Sequence, residues 1–243
     1  MNLIGNDLYN QLRTHSGSFD SIINFDPDSE KIIHIDLTEN NKDLHKIDIK
    51  NTELFSQYIF KKLKDANAKF AIGGYDELRT VYSVSDLFNN DLSVESTGET
   101  GEPRRLHLGT DIWGNEGTKV FAPLDGTIHS FAFNDHFGDY GATIILFHCL
   151  GEISFYTLYG HVSLRDIENI RKGDSIKKGQ LIAHFGNILE NGHWPPHLHF
   201  QVIKEIGSYE GDYPGVCQIS KRELYLKNCP DPDIILGLKK YLL

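Results

Sequence analysis

The sequence predicts a mainly β protein of antiparallel strands, preceded by a small α+β extension. Three observations predict it. From Lys119 onward, short runs rich in β-branched and aromatic residues alternate with Gly- and Pro-bearing turns. No long helical pattern interrupts residues 103–203, the signature of a compact antiparallel fold. Residues 1–69 hold one strand-like run, one helix-like run and no chemical motif. The expected division is an N-terminal extension over 1–69 and a domain over 70–243, with its motif core at 103–203.

The elements follow in chain order. Lys31-Ile32-Ile33-His34-Ile35-Asp36-Leu37 reads as a strand. Thr52 is a candidate cap for a helix to about Ala66, with Phe55, Ile59 and Leu63 on one face as core packing. Residues 88–103 are polar and Gly-bearing and read as a loop entering His107. Such a loop is either a plain surface linker, the reading that loops of this kind favour, or a mobile element that borders the groove and restricts access, with Glu95 or Glu99 able to occupy an open metal position. Val120 to Ile128 is strand, tight turn, strand; Ala142–Phe147 and Ile153–Tyr159 are paired strands around a turn at Gly151. Residues 170–182 read as a further hairpin series.

Composition narrows the class. Hydrophobic residues make up 40% of 243, enough for a sizeable core. A formal charge of −10 disfavours nucleic-acid backbones and anionic membranes as partners and suits a soluble enzyme. Three cysteines, Cys149, Cys217 and Cys229, cannot form a fully paired framework and read as small buried hydrophobes. Met1 to Asp7 lacks the basic and apolar regions of a secretory signal, and no run reaches the ~20 apolar residues of a membrane span. The expected compartment is the cytoplasm, or the exterior if a native leader precedes this chain. Oligomeric state is not set by the sequence.

The chemistry lies in the histidines. His107-Leu108-Gly109-Thr110-Asp111 comes early, His197-Leu198-His199 late, and His161 sits between them in Tyr159-Gly160-His161. A catalytic zinc site takes three ligands of the His, Asp, Glu or Cys kind and keeps one position open. The first motif supplies a His and an Asp; the second supplies two His, one to ligate and one to move protons. On a strand, residues i, i+2 and i+4 share a face. His197, His199 and Gln201 then line one face while Leu198, Phe200 and Val202 point into a core. On a helix the two histidines would diverge by about 200°, and Pro195-Pro196 favours a strand entered from a rigid turn. His107 and Asp111 also share a face on a strand; Pro103, Gly109 and Gly114 exclude a helix there. His15, His34, His45, His129, His136 and His184 read as structural or surface residues, with His148 and His193 intermediate.

As a set, His-x-Gly-x-Asp, Ala-Pro-x-x-Gly, Tyr-x-His, Lys-x-Gly-Asp with Lys-x-Gly-Gln, and Pro-His-Leu-His-Phe resemble the lysostaphin/LytM-type zinc metallopeptidases, which cut peptide cross-links of bacterial cell walls. The resemblance covers about 103–203. It implies an antiparallel β-sheet or sandwich with a groove over one zinc ion, held by His107, Asp111 and His199, with His161 and His197 as catalytic histidines. It implies a peptide or peptidoglycan-fragment substrate. Two departures stand out: Gln201 where the family often has Glu, and Asn191-Gly192-His193-Trp194-Pro195-Pro196 where a Ser-Thr-Gly stretch is common. The blocks Gly138-Asp139-Tyr140-Gly141, Trp194-Pro195-Pro196, Gly211–Val216 and Pro230–Asp233 are similar to a peptidase-type segment of large fused proteins that also carry phosphotransferase-like and aminotransferase-like domains.

The implied chemistry is amide hydrolysis, with zinc lowering the pKa of its water toward ~7. His161 and His197 orient the water, stabilise the oxyanion and shuttle a proton, a role that an ordinary imidazole value of roughly 6.5 suits. Tyr159 shares strand parity with His161 and faces either the cleft or the core. The alternatives are a catalytically silent LytM-like binding or regulatory module, a phosphocarrier, and a biotinyl/lipoyl-like carrier. The phosphocarrier does not account for His197-Leu198-His199. The carrier domain usually places Met beside its modifiable Lys, and Met1 is the one methionine here. A silent module usually lacks ligands, whereas every ligand position here is filled.

Overall fold

The computed structural model describes residues 7–89 and 101–242. The expected access-restricting segment, with Glu95 and Glu99, falls mostly in 90–100 and lies outside the described residues. The chain opens with α1 (Leu8–Thr14), β1 (Ile32–His34), α2 (Thr52–Asp65), β2 (Phe70–Gly73) and β3 (Glu77–Leu78). It continues through β4 (Leu106–His107), β5 (Thr110–Trp113), β6 (Lys119–Phe121), β7 (Gly126–Asn134), β8 (Gly141–Leu150) and β9 (Ile153–Val162). It closes with β10 (Ser175–Ile176), β11 (Leu181–His184), β12 (His197–Ile203), β13 (Val216–Cys217), α3 (Arg222–Asn228) and α4 (Asp233–Leu236).

Eight strands form the main sheet in the order β1-β2-β5-β12-β9-β8-β7-β10; β6 pairs with β11, and β3, β4 and β13 make a third small sheet. Every pair is antiparallel except β1 and β2, which run parallel with Ile32 opposite Phe70. The mainly β, antiparallel reading therefore holds, and the N-terminal segment contributes the strand at one edge. That strand is shorter than its apolar run. After His34 the Asp36 carboxylate accepts from the Thr38 N–H at 2.7 Å, and this local turn ends the pairing before Leu37. The run 170–182 is not a self-paired hairpin series: β10 pairs with β7, and β11 with β6.

The core alternates as period two dictates. Leu198, Phe200 and Val202 are fully buried in one cluster with Ile144, Phe155 and Tyr159. A second cluster joins Phe55, Ile59 and Leu63 of α2 to Trp113 and Trp194, so the helix stripe is core, as its spacing predicts. Cys217 and Cys229 are buried as expected, whereas Cys149 is exposed at the end of β8, where alternation turns it outward.

The α2 cap differs from expectation. Asn51, not Thr52, is the N-cap: its side-chain oxygen accepts from the Glu53 and Leu54 N–H groups at 3.0 and 3.2 Å. Thr52 is the first helical residue, and its hydroxyl donates instead to the His193 carbonyl at 2.8 Å, tying the helix start to the loop before β12. We therefore expect Asn51→Ala to lower the unfolding free energy by about 1 kcal/mol in urea titration without altering the slope, and Asn51→Asp to restore most of it.

Candidate metal centre

The site is set by strand register. β12 lies between β5 and β9, with His199 opposite Asp111 on one side and opposite Gly160 on the other. His197 and His199 project from the face opposite Leu198 and Phe200, as the sequence spacing predicts. His107 and Asp111 do not share one continuous strand. The chain breaks at Leu108-Gly109, so His107 belongs to β4 of the small sheet and Asp111 to β5 of the main one. Gly109 makes the crossing possible: a Cβ there would meet the His199 ring at 2.5 Å.

His161 reaches the site by a backbone departure. On β9, Tyr159 stands opposite Phe200 and points into the core, and simple alternation would send His161 the same way. His161 instead adopts φ of 63°, a left-handed conformation uncommon for a residue with a side chain, and lines the cavity beside His197 and His199. Tyr159 is core, its hydroxyl accepting from Thr157 at 3.1 Å. Gly160 has its own steric cause: a Cβ there would lie 2.4 Å from the ring of Tyr140.

Three donors converge. His107 Nε2 and His199 Nδ1 are 3.0 Å apart, His199 Nδ1 and Asp111 Oδ1 3.0 Å, and His107 Nε2 and Asp111 Oδ1 3.3 Å. The outer atom of each group fixes what the inner atom carries. His107 Nδ1 faces the Gly74 carbonyl at 2.8 Å, so it holds the proton and leaves Nε2 bare. His199 Nε2 faces Gln201 Oε1 at 2.9 Å; the Gln201 amide nitrogen donates to the Pro214 carbonyl at 3.2 Å, which orients that amide. His199 Nδ1 is therefore bare as well. Asp111 turns its second oxygen to Arg79, whose Nη1 donates to it at 2.5 Å. Two imidazole lone pairs and a carboxylate oxygen thus face one another with no proton among them. For zinc–ligand bonds of about 2.0–2.1 Å, tetrahedral geometry puts donors about 3.3 Å apart, close to these separations. The donor set fits a zinc ion, and each donor has the outer hydrogen-bond partner that such ligands take. Among the described residues, His107, Asp111 and His199 are the one group of this kind.

The electrostatics agree. Burial acts against the Asp111 carboxylate, and the facing His107 and Arg79 outweigh it, holding the carboxyl well below its ordinary value. Burial pushes His107 down to about 4. His161 and His197 stand with ring centroids 4.1 Å apart. Each gives its Nδ1–H to a carbonyl, Asn191 at 2.8 Å and Pro195 at 2.7 Å, leaving Nε2 free to accept. Burial lowers His197 to about 4 and, with His197 facing it, lowers His161 well below its usual value. The ordinary imidazole value expected for these two does not hold in this dry setting. Tyr140, whose hydroxyl lies 3.3 Å from His199 Nε2, keeps its proton because burial raises it far above the usual phenol value.

Three neighbours were given no role at the site by the sequence. Arg79 is buried between Glu77 (2.6 Å) and Asp111, with the Tyr82 hydroxyl 3.2 Å from Nη1. It comes from the segment before the polar loop, where no spacing signals it. Tyr140, just before β8, is held by its carbonyl, which accepts from the His161 N–H at 2.9 Å, and Gln201 was legible as a third residue of the His197 face and as a departure from the usual Glu. The remaining histidines lie elsewhere. His148 is buried between Thr157 and the Asp125 carbonyl, His184 pairs with Asp166, and His193 stacks on Phe137 at 5.7 Å.

Residues 105–210, less than half of the chain, match the profile described as Peptidase family M23. A Haemophilus influenzae protein described as an uncharacterized metalloprotease is 34% identical over 119 residues, which is 49% of this chain and 22% of that protein. The catalytic domain of the antimicrobial peptidase lysostaphin from Staphylococcus simulans is 21% identical, with 70% of this chain and 96% of that chain covered at a TM-score of 0.35. A putative peptidase M23 from Pseudomonas aeruginosa is 19% identical, with 54% and 44% covered and a TM-score of 0.35.

Removing Arg79 would strand two buried carboxylates. We expect Arg79→Leu to destabilise the fold by about 3–5 kcal/mol in denaturant unfolding. Arg79→Lys should recover only part of this, because an ammonium cannot reproduce the guanidinium fork toward Glu77 and Asp111.

Proposed function

We propose that this chain is a zinc metalloendopeptidase that hydrolyses a peptide or related amide bond, peptidoglycan-type peptides being the substrate class its family likeness suggests. The observation that carries the reading is the meeting of His107 Nε2, Asp111 Oδ1 and His199 Nδ1 beside two further imidazoles with free Nε2 atoms. A catalytically silent module has no use for all five groups in these protonation states.

His107, Asp111 and His199 would hold the zinc ion, which when bound would supply Lewis-acid polarisation of a carbonyl and activation of water near neutral pH. The residues of the chain do the rest. His161 and His197 start neutral, so either Nε2 can accept a proton from the attacking water and pass it to the leaving nitrogen. Their close approach allows one imidazolium at a time, since two charges this near in a buried site repel strongly. The Tyr140 hydroxyl, held as a phenol, is a donor for the oxyanion of the tetrahedral state. Arg79 keeps Asp111 ionised and fixes which of its oxygens faces the centre. Asn191 and Pro195 hold the two catalytic rings by their carbonyls.

Purified protein should contain about one zinc per chain, and His107→Ala, Asp111→Ala and His199→Ala should each abolish it in elemental analysis. Full zinc occupancy in all three variants would sink the ligand assignment. His161→Ala and His197→Ala should keep the metal while turnover of a peptide substrate falls by about 10²–10⁴. Loss of zinc from the His197 variant with retention in the His199 variant would reverse their roles.

A further inference from the structure

The cavity that holds Asp111, His161, His197 and His199 does not end at the polar centre. The same chamber is also lined by Leu37 and Phe55 of the N-terminal segment together with Tyr82, Phe88, Trp113 and Trp194, with the carboxyls of Asp139 and Asp212 on its wall as well. The whole space is about 250 Å³. Aromatic contacts run unbroken from wall to centre. Phe55 meets Trp194 edge-on at 6.4 Å, Trp194 meets Tyr82 at 6.2 Å, Tyr82 lies 6.2 Å from His107, and Trp113 stacks on His197 at 5.7 Å. Arg104 borders the same end, its guanidinium 5.2 Å from the Phe88 ring centroid.

We infer that this chamber is a side-chain subsite for an aromatic residue next to the scissile amide. The placement of the scissile bond rests on the metallopeptidase reading above but not on its peptidoglycan-type substrate, whose peptides carry no aromatic residue; the chamber itself rests on its walls. A cavity of about 150 Å³ with apolar walls already takes up a benzene ring, so the space suffices for a phenyl or phenol group with room left at the metal. Aromatic walls offer edge and face contacts to a ring that an aliphatic chain does not use, and the Arg104 guanidinium favours a π face over a methyl group. A glycine beside the scissile bond would leave these walls unoccupied. The N-terminal segment is thereby part of the recognition surface: Phe55 comes from α2, which Thr52 ties to the loop leading into β12.

The test uses a built-in reporter, because the chain has two tryptophans and both line the chamber. The full-length protein, metal-free and zinc-loaded, is titrated with N-acetyl-L-phenylalanine amide and with N-acetylglycine amide while tryptophan emission is followed. We expect the phenylalanine probe to change emission at about tenfold lower concentration than the glycine probe in both forms. Val81→Phe and, separately, Leu37→Phe, each adding a ring at a residue that lines the space, should remove that preference with zinc content intact. Equal responses to the two probes, or no response to either, overturns the subsite whether or not the protein cleaves peptides. A phenylalanine preference without any amide hydrolysis supports the subsite and counts against the peptidase reading instead.

Discussion

The antiparallel pairing of β5 with β12, in the register that sets His199 against Asp111, is the constraint on which the rest of the site depends. A slip of one residue would exchange the polar and apolar faces of β12, burying His197 and His199 in the core and turning Leu198 and Phe200 toward the cavity. The register is held by the hydrophobic alternation of β12 itself and by its second partner, β9. Fold and candidate site are thus specified by the same seven-residue strand: His197, His199 and Gln201 face the centre, and Leu198, Phe200 and Val202 anchor the sheet.

Arg79 completes this arrangement from outside the motif-bearing strands. It sits between two carboxylates in a buried setting where neither ion would persist alone. Its position ties the small sheet to the large one, since Glu77 lies on β3 and Asp111 on β5. The polar centre is therefore also a junction between layers, and its charge balance is part of the stability of the fold as well as of its reactivity.

How much of this was legible follows from the range of each interaction. The strand character of β12, the α2 stripe and the nearness of the histidines depend on local spacing, and spacing is visible in a sequence. The break between His107 and Asp111 depends on Gly109 meeting a ring 90 positions away, which no local pattern encodes. The turn of His161 toward the cavity depends on a single left-handed φ, where alternation alone predicts the core. Arg79 acts on Asp111 from another strand without a motif, and Tyr140, though part of a recognised block, has no spacing that assigns it to the site. Asn51 took the capping role from Thr52 because the adjacent hydroxyl found the His193 carbonyl, a partner 141 positions distant.

The separation of the donors along the chain carries a consequence for how the centre comes into being. His107 and His199 are 92 residues apart. At about 5–20 residues per second of synthesis, several seconds pass between the appearance of the first donor and the last. On the proposed ligand assignment, His107 and Asp111 alone would offer a cation two donors during that interval, and the third would arrive only when β12 pairs between β5 and β9. Affinity for a cation is consequently a property of the closed sheet, not of the early motif, and loading and folding draw on the same free energy.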